Sequence, residues 1–532
     1  MIKKLSFLLV LLLVFAVIGC SPPADTGDDN GDDNGDDNGE EVTIKDELIF
    51  STTADAGTMD PQDLNSNTEE QIIRMVYNNL LTFDQDMNIV GDLAKDWEVG
   101  EDGVTWTFWL KEGVEFCDGT PLNAEAVAKS FERITNQENN LRRYILYYMV
   151  VDTNVVDEYT VQLVTEEPFG AFPASLAHTA GGIVNPTYVE EHGSDYGKFT
   201  ETISGTGPYK VVSWDKDKEL VIEAKEDYWG EPGVTKRIIY RPIVENASRV
   251  IALETGEVDA ISHIPSVDLE RLENNPDITV HKVTSNGQRL FRFNVTQEPL
   301  DNTLVRRAIN HAVDREAIVN SLFRGQAVPA TSAVAQAVWG YNDLGVVSYD
   351  PELSKQLLVE AGYPDGFDIG IYTTARYQSG VELGEILAQM LQDVGINAEL
   401  IVMEWNDIRS YWQGVDPEDN PQQIFIMGAA PSTGDSDWNL RPNYRTHETN
   451  VQNYGYYSNE EFDDVIMQAM LETDPDKRLA LYKRAQEIIY LEDPAGIWLF
   501  DNIYVIATRS DVKDITMSPL SLVMFEKAYA IE

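Results

Sequence analysis

The chain has 532 residues, and its 39 Lys and Arg residues against 90 Asp and Glu give a formal net charge of −51. This length predicts about two to four domains. The acidity argues against a nucleic-acid-binding protein and against docking on anionic lipid, since both need a basic face. With only 2 cysteines, a disulfide framework, a cysteine-rich zinc site and an iron–sulfur cluster are excluded.

The first twenty residues predict an export signal. Lys3 and Lys4 precede an almost wholly apolar stretch, residues 5–18. At 1.5 Å per residue this stretch spans about 21 Å, which is too short for a bilayer core of about 30 Å. A short basic region followed by a short apolar one is typical of a secretory signal peptide. We therefore assign residues 1–19 to a signal peptide, and no later apolar segment is long enough to span a membrane.

Residues 20–43 begin at Cys20 and continue as an acidic low-complexity segment, in which Gly-Asp-Asp-Asn occurs three times in succession. Like charges repel one another and the repeat at residues 27–38 has no apolar side chain to bury, so this composition predicts an extended tether. A calcium-binding EF-hand loop is the alternative. Against it, Asp37 occupies the position where such a loop needs glycine.

Alternating apolar and polar residues predict β-strands in the first half of the body. The pattern is clearest at residues 104–110, 210–214, 219–224 and 238–241. Helical patterns dominate after residue 300. Their expected starts are Asp301, Asp350 with Pro351, and Asp474 with Pro475; a further helix ends at Gly395, and a strand follows over residues 397–403. The chain is therefore predicted to be a mixed α/β protein.

The sequence contains none of the common enzyme motifs that we sought: the nucleophile elbow, the Walker A loop, the zincin motif and the dinucleotide-binding glycine pattern. The 6 histidines are scattered, with no pair at helical metal-binding spacing. Cys117 stands alone, and we expect it to be a small buried residue and not a nucleophile. We therefore expect no enzymatic activity, no cofactor and no metal site.

Several short segments occur in a fixed order along the body. They include Thr58-Met59-Asp60-Pro61, Gly205-Thr206-Gly207-Pro208-Tyr209 and Ala361-Gly362-Tyr363-Pro364, with others at residues 93–98, 102–108, 111–122, 227–229, 253–259, 305–309 and 349–351. Together they resemble the extracellular solute-binding proteins of peptide-type ABC importers, the family of dipeptide, oligopeptide, glutathione and nickel receptors. The resemblance covers about residues 46–530.

The resemblance implies an α/β fold of the periplasmic-binding-protein type, with two lobes, an interlobe cleft and an additional small β-rich domain. By this resemblance, lobe I comprises residues 44–76, 201–293 and 501–532. The additional domain comprises residues 77–200, and lobe II comprises residues 294–500.

The same resemblance implies a receptor that closes on a short peptide or glutathione and delivers it to ABC permease subunits. Val17-Ile18-Gly19-Cys20 resembles the bacterial lipobox, so we expect Cys20 to be acylated and to hold the protein on the extracytoplasmic face of the cell membrane. We expect a monomer that contacts the membrane through its lipid alone and binds no nucleic acid. The alternatives are a nickel or metal-chelate receptor and a ligand-sensing receptor of the same fold.

The run at residues 432–442, Ser-Thr-Gly-Asp-Ser-Asp-Trp-Asn-Leu-Arg-Pro, resembles the glutathione-binding branch of the family. Dipeptide receptors hold the ligand ammonium with an aspartate in this loop. Ser432 stands at that position here, so Asp435 or Asp437 is the candidate for this charge. The alternative is a turn stabilised by hydrogen bonds from aspartate side chains.

Arginine suits a ligand carboxylate because its guanidinium donates two parallel hydrogen bonds. Arg376 lies where dipeptide receptors carry such an arginine, and Arg441 is the second candidate. The alternative for each is a surface ion pair worth about 0–1 kcal/mol. Trp405, Trp438 and Trp339 are candidates for the cleft wall, although large aromatic residues more often belong to hydrophobic cores.

Overall fold

The structure is a computed structural model that describes residues 43–412, 414–447 and 452–532. The predicted signal peptide, Cys20 and nearly all of the tether lie outside these residues. None of the described helices is long and apolar enough to cross a membrane.

The strands are β1 (Glu47–Thr52), β2 (Leu81–Phe83), β3 (Ile89–Gly91), β4 (Ala94–Val99), β5 (Thr105–Leu110), β6 (Val150–Asp157), β7 (Thr160–Thr165), β8 (Tyr209–Asp215), β9 (Glu219–Ala224), β10 (Arg237–Pro242), β11 (Ala260–Ser262), β12 (Ile278–Phe293), β13 (Ala327–Pro329), β14 (Asp368–Thr373), β15 (Asn397–Val402), β16 (Ile424–Ala429), β17 (Gly496–Arg509), β18 (Val512–Lys513), β19 (Thr516–Ser518), β20 (Leu522–Met524) and β21 (Tyr529–Ala530).

The α-helices are α1 (Asn67–Val76), α2 (Ala124–Thr135), α3 (Phe172–Ala177), α4 (Pro186–His192), α5 (Asn246–Thr255), α6 (Ser266–Glu273), α7 (Thr303–His311), α8 (Arg315–Ile318), α9 (Pro351–Glu360), α10 (Gly380–Asp393), α11 (Trp405–Arg409), α12 (Ser436–Tyr444), α13 (Glu460–Leu471) and α14 (Pro475–Glu487).

The predicted strands and most of the predicted helix boundaries are confirmed. Strands β5, β8, β9, β10 and β15 lie where the alternating patterns placed them. Asp350 caps α9, since its side chain accepts a hydrogen bond from the Leu353 amide. The prediction that Asp301 caps the preceding helix was wrong. Asn302 is the cap of α7, because its side-chain oxygen accepts a 3.0 Å hydrogen bond from the Leu304 amide.

Cys117 was predicted to be buried, and this is wrong. It is exposed. It lies in a turn whose two sides pair at Glu115 and Pro121, so its side chain has no core to enter. The Cys117 thiol donates a 3.1 Å hydrogen bond to the Gly205 carbonyl oxygen.

One large mixed sheet passes through the body in the order β15-β14-β16-β12-β17-β11-β1-β10-β9-β8, with β13 added beside β17. A separate four-stranded antiparallel sheet has the order β4-β5-β7-β6. In β5 the side chains alternate between buried and half-buried, so one face of this small sheet packs on a core. The chain is therefore a mixed α/β protein with a second, smaller sheet, as predicted.

The long antiparallel strands β12 and β17 connect the two halves of the large sheet. Their pairing begins at Ile278 with Arg509 and ends at Arg292 with Gly496, with a register shift between Thr284 and Gln288. On one side lie β1, β10 and β11, which are parallel to one another. On the other side lie β14, β15 and β16, which are also mutually parallel.

These two sets of parallel strands run in opposite directions. Strand β11 ends at Ser262, which pairs with Ile506, the residue that also pairs with His281 of β12. Strand β16 approaches from the other half and ends at Ala429, which pairs with Gln288. Both sets therefore direct their carboxyl ends toward the same segment of β12. In open α/β sheets, ligands bind in the crevice outside the carboxyl ends of the strands.

Candidate functional site

The loop that follows β14 presents Arg376 at the carboxyl edge of the sheet. Thr373 closes this loop, since its hydroxyl donates a 2.6 Å hydrogen bond to the Gly380 carbonyl oxygen at the start of α10. The Arg376 side chain is exposed, and its guanidinium carbon lies 4.8 Å from the centre of the Trp405 ring. Among the described residues Arg376 forms no ion pair. The loop therefore offers a free guanidinium beside an aromatic surface.

Trp405 begins α11, after the neighbouring strand β15. It is half-buried, and its ring meets the rings of Tyr377 and Trp412 edge-on at 5.6 and 5.5 Å between centroids. Edge-to-face contacts of this kind hold a ring in a defined orientation. Trp405 is thus held in place by Tyr377 and Trp412 while part of its surface stays exposed.

The glutathione-like run forms the start of α12, where Asp435 is the N-cap. Its side chain accepts a 2.9 Å hydrogen bond from the Asp437 amide. The Arg478 guanidinium forms an ion pair with Asp435, and the Tyr482 hydroxyl donates to the same carboxylate at 3.1 Å. Both Asp435 and Arg478 are buried. The charge of Asp435 is therefore balanced within the protein.

Asp437 and Arg441 lie one helical turn apart on α12 and form a two-pronged ion pair. Arg441 Nε donates to Asp437 Oδ1 at 2.8 Å, and Arg441 Nη2 donates to Oδ2 at 2.7 Å. The Asp437 side chain is 2% exposed. Burial alone would lower the pKa of Arg441, but the charge of Asp437 outweighs it and raises that pKa above its usual range. This arginine already has a carboxylate partner.

The structure thus brings the predicted ligand residues together in two groups. Asp435, Asp437, Trp438 and Arg441 share α12, and Trp438 is half-buried against the hydrophobic core. Arg376 and Trp405 share the loops after β14 and β15. A direct role of each residue in ligand binding stays a prediction.

A cavity of about 900 Å³ adjoins the same segment of β12, and we call it the acidic cavity. Its walls include Lys282 of β12 and Ser432 from the loop after β16. They also carry the carboxylates of Glu70, Asp84, Asp86, Asp92, Glu231 and Glu526. This excess of acids suits a cationic group such as a peptide ammonium. Sequence reasoning missed these residues, because they come from distant segments of the chain with no shared motif.

Glu70 is the most deeply buried acid of this cavity, at 8% exposure. Its Oε1 atom lies 3.6 Å from Arg143 Nη2 and 3.6 Å from His178 Nε2. Burial lowers the pKa of His178 to about 3, so the imidazole is neutral and gives no ionic support. Burial raises the pKa of Glu70 to about 7, although Arg143 and Arg74 act in the opposite direction.

A second cavity of about 540 Å³ separates the small sheet from the helices near α12. Trp97 and Trp106 line it on one side, and Trp339 and Arg478 on the other. The Arg478 guanidinium carbon lies 4.4 Å from the centre of the Trp339 ring. The predicted wall residue Trp339 therefore faces this cavity.

The two sides of this second cavity meet at Gly170. Its amide donates a 2.9 Å hydrogen bond to the Met470 carbonyl oxygen, and its own carbonyl accepts one from Arg478. A Cβ atom at position 170 would lie 1.9 Å from the Glu472 carbonyl oxygen, which no real contact allows. Only glycine fits this close approach of two backbones.

Among the described residues, no group of three or more histidine, cysteine, aspartate or glutamate side chains is arranged to hold a metal ion.

The chain is similar to known proteins both in sequence and in structure. Residues 88–451 match the family model of bacterial extracellular solute-binding proteins, family 5. The chain is 33% identical over 452 residues to the glutathione-binding protein GsiB of Escherichia coli K12, an alignment that covers 84% of this chain and 88% of GsiB.

Two solved structures show the same fold. HbpA2 from Haemophilus parasuis aligns with a TM-score of 0.82 at 24% identity, covering 91% of this chain and 99% of HbpA2. DppA from Helicobacter pylori, in complex with the peptide STSA, aligns with a TM-score of 0.74 at 25% identity, covering 91% of this chain and 98% of DppA. These likenesses confirm the predicted two-lobed periplasmic-binding-protein fold with an additional small β-rich domain.

The Asp437–Arg441 pair predicts a stability effect. Arg441→Met leaves a buried carboxylate unpaired, so we expect the free energy of unfolding to fall by about 3–5 kcal/mol without ligand, as measured by urea denaturation. Arg484→Met is the control. It removes a more exposed arginine beside Glu461 and Glu492, and we expect a loss of less than about 1 kcal/mol. Equal unfolding of Arg441→Met and the parent would contradict this role.

Glu70 predicts a pH effect. Between its ordinary pKa of 4.5 and the folded value of about 7, the folded state holds a proton that the unfolded state has lost, so stability falls as pH rises. Glu70→Gln removes this linkage and should stabilise the protein by up to about 3 kcal/mol at pH 8, with no gain at pH 4. Urea denaturation from pH 4 to 8 measures it.

The control for this pH effect is Glu132→Gln, which changes an exposed residue of α2 and should leave the pH profile of the parent unchanged. Parallel profiles for the parent and Glu70→Gln would show that Glu70 ionises normally.

Proposed function

The chain belongs to the bacterial extracellular solute-binding proteins of family 5, and from that premise we propose that it is a receptor that binds a peptide-like ligand and delivers it to an ABC importer. The observation that carries this proposal is the free guanidinium of Arg376 beside Trp405, at the carboxyl edge of β14. A guanidinium without a carboxylate partner is suited to the carboxylate of a peptide. No enzymatic step is part of the proposal.

The proposed ligand is a short peptide or glutathione. Such a molecule carries an ammonium and one or two carboxylates, and each needs an opposite charge once it leaves water. In this proposal Arg376 pairs with a ligand carboxylate, and the acidic cavity beside β12 accommodates the ligand ammonium. The 33% identity to a glutathione-binding protein over 84% of the chain supports this ligand class.

Closure of the two lobes around the ligand is the proposed mechanism of capture. The hinge would lie where β12 and β17 change register, between Thr284 and Gln288. Two long strands that pass from one half of the sheet to the other can bend there while each half keeps its own pairing. Hinge closure around a buried ligand is the general mode of two-lobed receptors.

A lipid on Cys20 is the proposed anchor, with residues 21–43 as the spacer between the membrane and the receptor. The short apolar segment before Cys20 and the acidic composition after it support this arrangement. The receptor would then work as a monomer on the extracytoplasmic face of the cell membrane, next to its permease.

The proposal predicts ligand-dependent stabilisation that depends on Arg376. A thermal-shift screen of dipeptides, tripeptides and glutathione should find a ligand that adds about 2.7 kcal/mol at 100 times its dissociation constant. By calorimetry, Arg376→Met should lower the affinity for that ligand by about 30-fold to several thousand-fold, since a buried carboxylate loses its partner. The melting temperature without ligand should not change, because Arg376 is exposed.

Arg307→Met, which changes an exposed arginine on α7, is the matched control and should bind like the parent. If Arg376→Met binds as tightly as the parent, Arg376 is not the carboxylate anchor. If no peptide or glutathione stabilises the parent, the receptor function itself is wrong.

The anchor is tested separately by Cys20→Ala. Each methylene of a buried acyl chain contributes about 0.8 kcal/mol to membrane binding, so loss of the lipid should move the protein from the washed membrane fraction to the supernatant. Fractionation of cells that express the parent and the variant measures this. Retention of Cys20→Ala on the membrane would refute the lipid anchor.

A further inference from the structure

Arg289 of β12 is a cation without an anion. It is half-buried, and its Nε and Nη1 atoms are buried with no hydrogen-bond partner in the part of the chain that the structure describes. No described carboxylate forms an ion pair with it, although acids outnumber bases by 90 to 39 in this chain. Burial lowers the pKa of Arg289 to about 10, which shows that its charge is poorly compensated.

Arg289 lies at the carboxyl edge of the sheet, and the residue as a whole remains partly exposed. Arg289 pairs with Gly428 across β12 and β16, one residue before β16 reaches its carboxyl end. A Cβ atom at position 428 would lie 2.7 Å from Arg289 Nη1, so the guanidinium packs directly against this glycine. Gly428 is itself exposed, so the guanidinium lies close to the surface at this edge of the sheet.

Arg289 and Arg376 are linked by two aromatic rings. The Arg289 guanidinium carbon lies 3.9 Å from the centre of the Tyr377 ring. Tyr377 meets Trp405 edge-on at 5.6 Å, and Trp405 carries the Arg376 guanidinium at 4.8 Å. Two guanidinium groups thus lie on the two sides of one rigid aromatic pair, at the edge where the ligand is proposed to bind.

We propose that Arg289 binds a second carboxylate of the ligand, so that this receptor selects peptide-like molecules with two carboxylates over those with one. This inference rests on the proposed receptor function and on Arg376 as the first carboxylate site. The contact with Tyr377 holds the guanidinium plane but leaves its positive charge without an anion, and a ligand carboxylate supplies one.

The same contacts explain discrimination against simpler peptides. A ligand with two carboxylates gains a charge-assisted contact with Arg289 that a ligand with one carboxylate cannot make. A site built to hydrogen-bond a group rejects analogues that lack the group far more strongly than an apolar pocket rejects a missing methylene. The second guanidinium therefore acts as the specificity determinant, while Arg376 serves every ligand of the class.

The test compares three tripeptides by calorimetry on the intact receptor. Glutathione and Glu-Cys-Gly carry two carboxylates, and Ala-Cys-Gly carries one. The parent should bind at least one of the two dicarboxylates about 30-fold or more tighter than Ala-Cys-Gly. Arg289→Gln should abolish that preference while changing the affinity for Ala-Cys-Gly by less than about threefold. Arg289→Lys should restore part of it, because the charge returns without the two-pronged geometry.

Arg307→Gln is the matched control and should keep the preference of the parent. Arg289→Gln should also unfold no more easily than the parent, since it removes an unpaired buried charge. An equal loss of affinity for all three peptides would overturn the inference, because Arg289 would then only support Tyr377. A parent that binds Ala-Cys-Gly as tightly as the dicarboxylates would overturn it while leaving the receptor function intact. If none of the three peptides binds, and no member of the peptide screen binds either, both the inference and the receptor function are wrong.

Discussion

The pairing of β12 with β17 is the constraint on which the rest of the structure depends. These strands of 16 and 14 residues lie next to each other in the middle of the large sheet, and their paired segments on either side of the shift between Thr284 and Gln288 join its two halves. Because each half places its parallel strands in the opposite sense, the pairing directs both sets of carboxyl ends to one segment of β12. The crevice, the acidic cavity and Arg289 all follow from that arrangement.

The charged side chains near this crevice fall into two kinds, those with an ion-pair partner inside the protein and those without one. Asp435 and Asp437 were attractive candidates for an ammonium site, yet each is buried against its own arginine, Arg478 or Arg441. Arg376 and Arg289 differ, since no described carboxylate lies within ion-pair distance of either. In a protein with a net charge of −51, two arginines without a carboxylate partner are unusual, and they are the basis of the anionic ligand group proposed above.

Local sequence patterns correctly predicted helix caps and strand faces, which are decided by local interactions. The cap at Asp350 and the alternation in β9 were correct because a helix cap or a strand face is decided within a few residues. Asp437 and Arg441 are four residues apart, so a helical pattern would have predicted their ion pair. Residues 432–442 were instead interpreted as a loop, whereas α12 begins at Ser436. Glu70 and Arg289 were not predictable, because the burial of Glu70 and the missing counter-charge of Arg289 depend on segments brought together only by the fold.

The approach of backbone to backbone at Gly170 has a consequence for how this protein can diverge. The distance between the loop after β7 and the end of α13 is set by main-chain atoms, since the Gly170 amide bonds to the Met470 carbonyl oxygen and no side chain fits at position 170. Substitutions among the tryptophans that line the 540 Å³ cavity can therefore alter its shape and polarity without changing the spacing of its walls. Replacement of Gly170 itself would push the two backbones apart and so change the distance between the cavity walls.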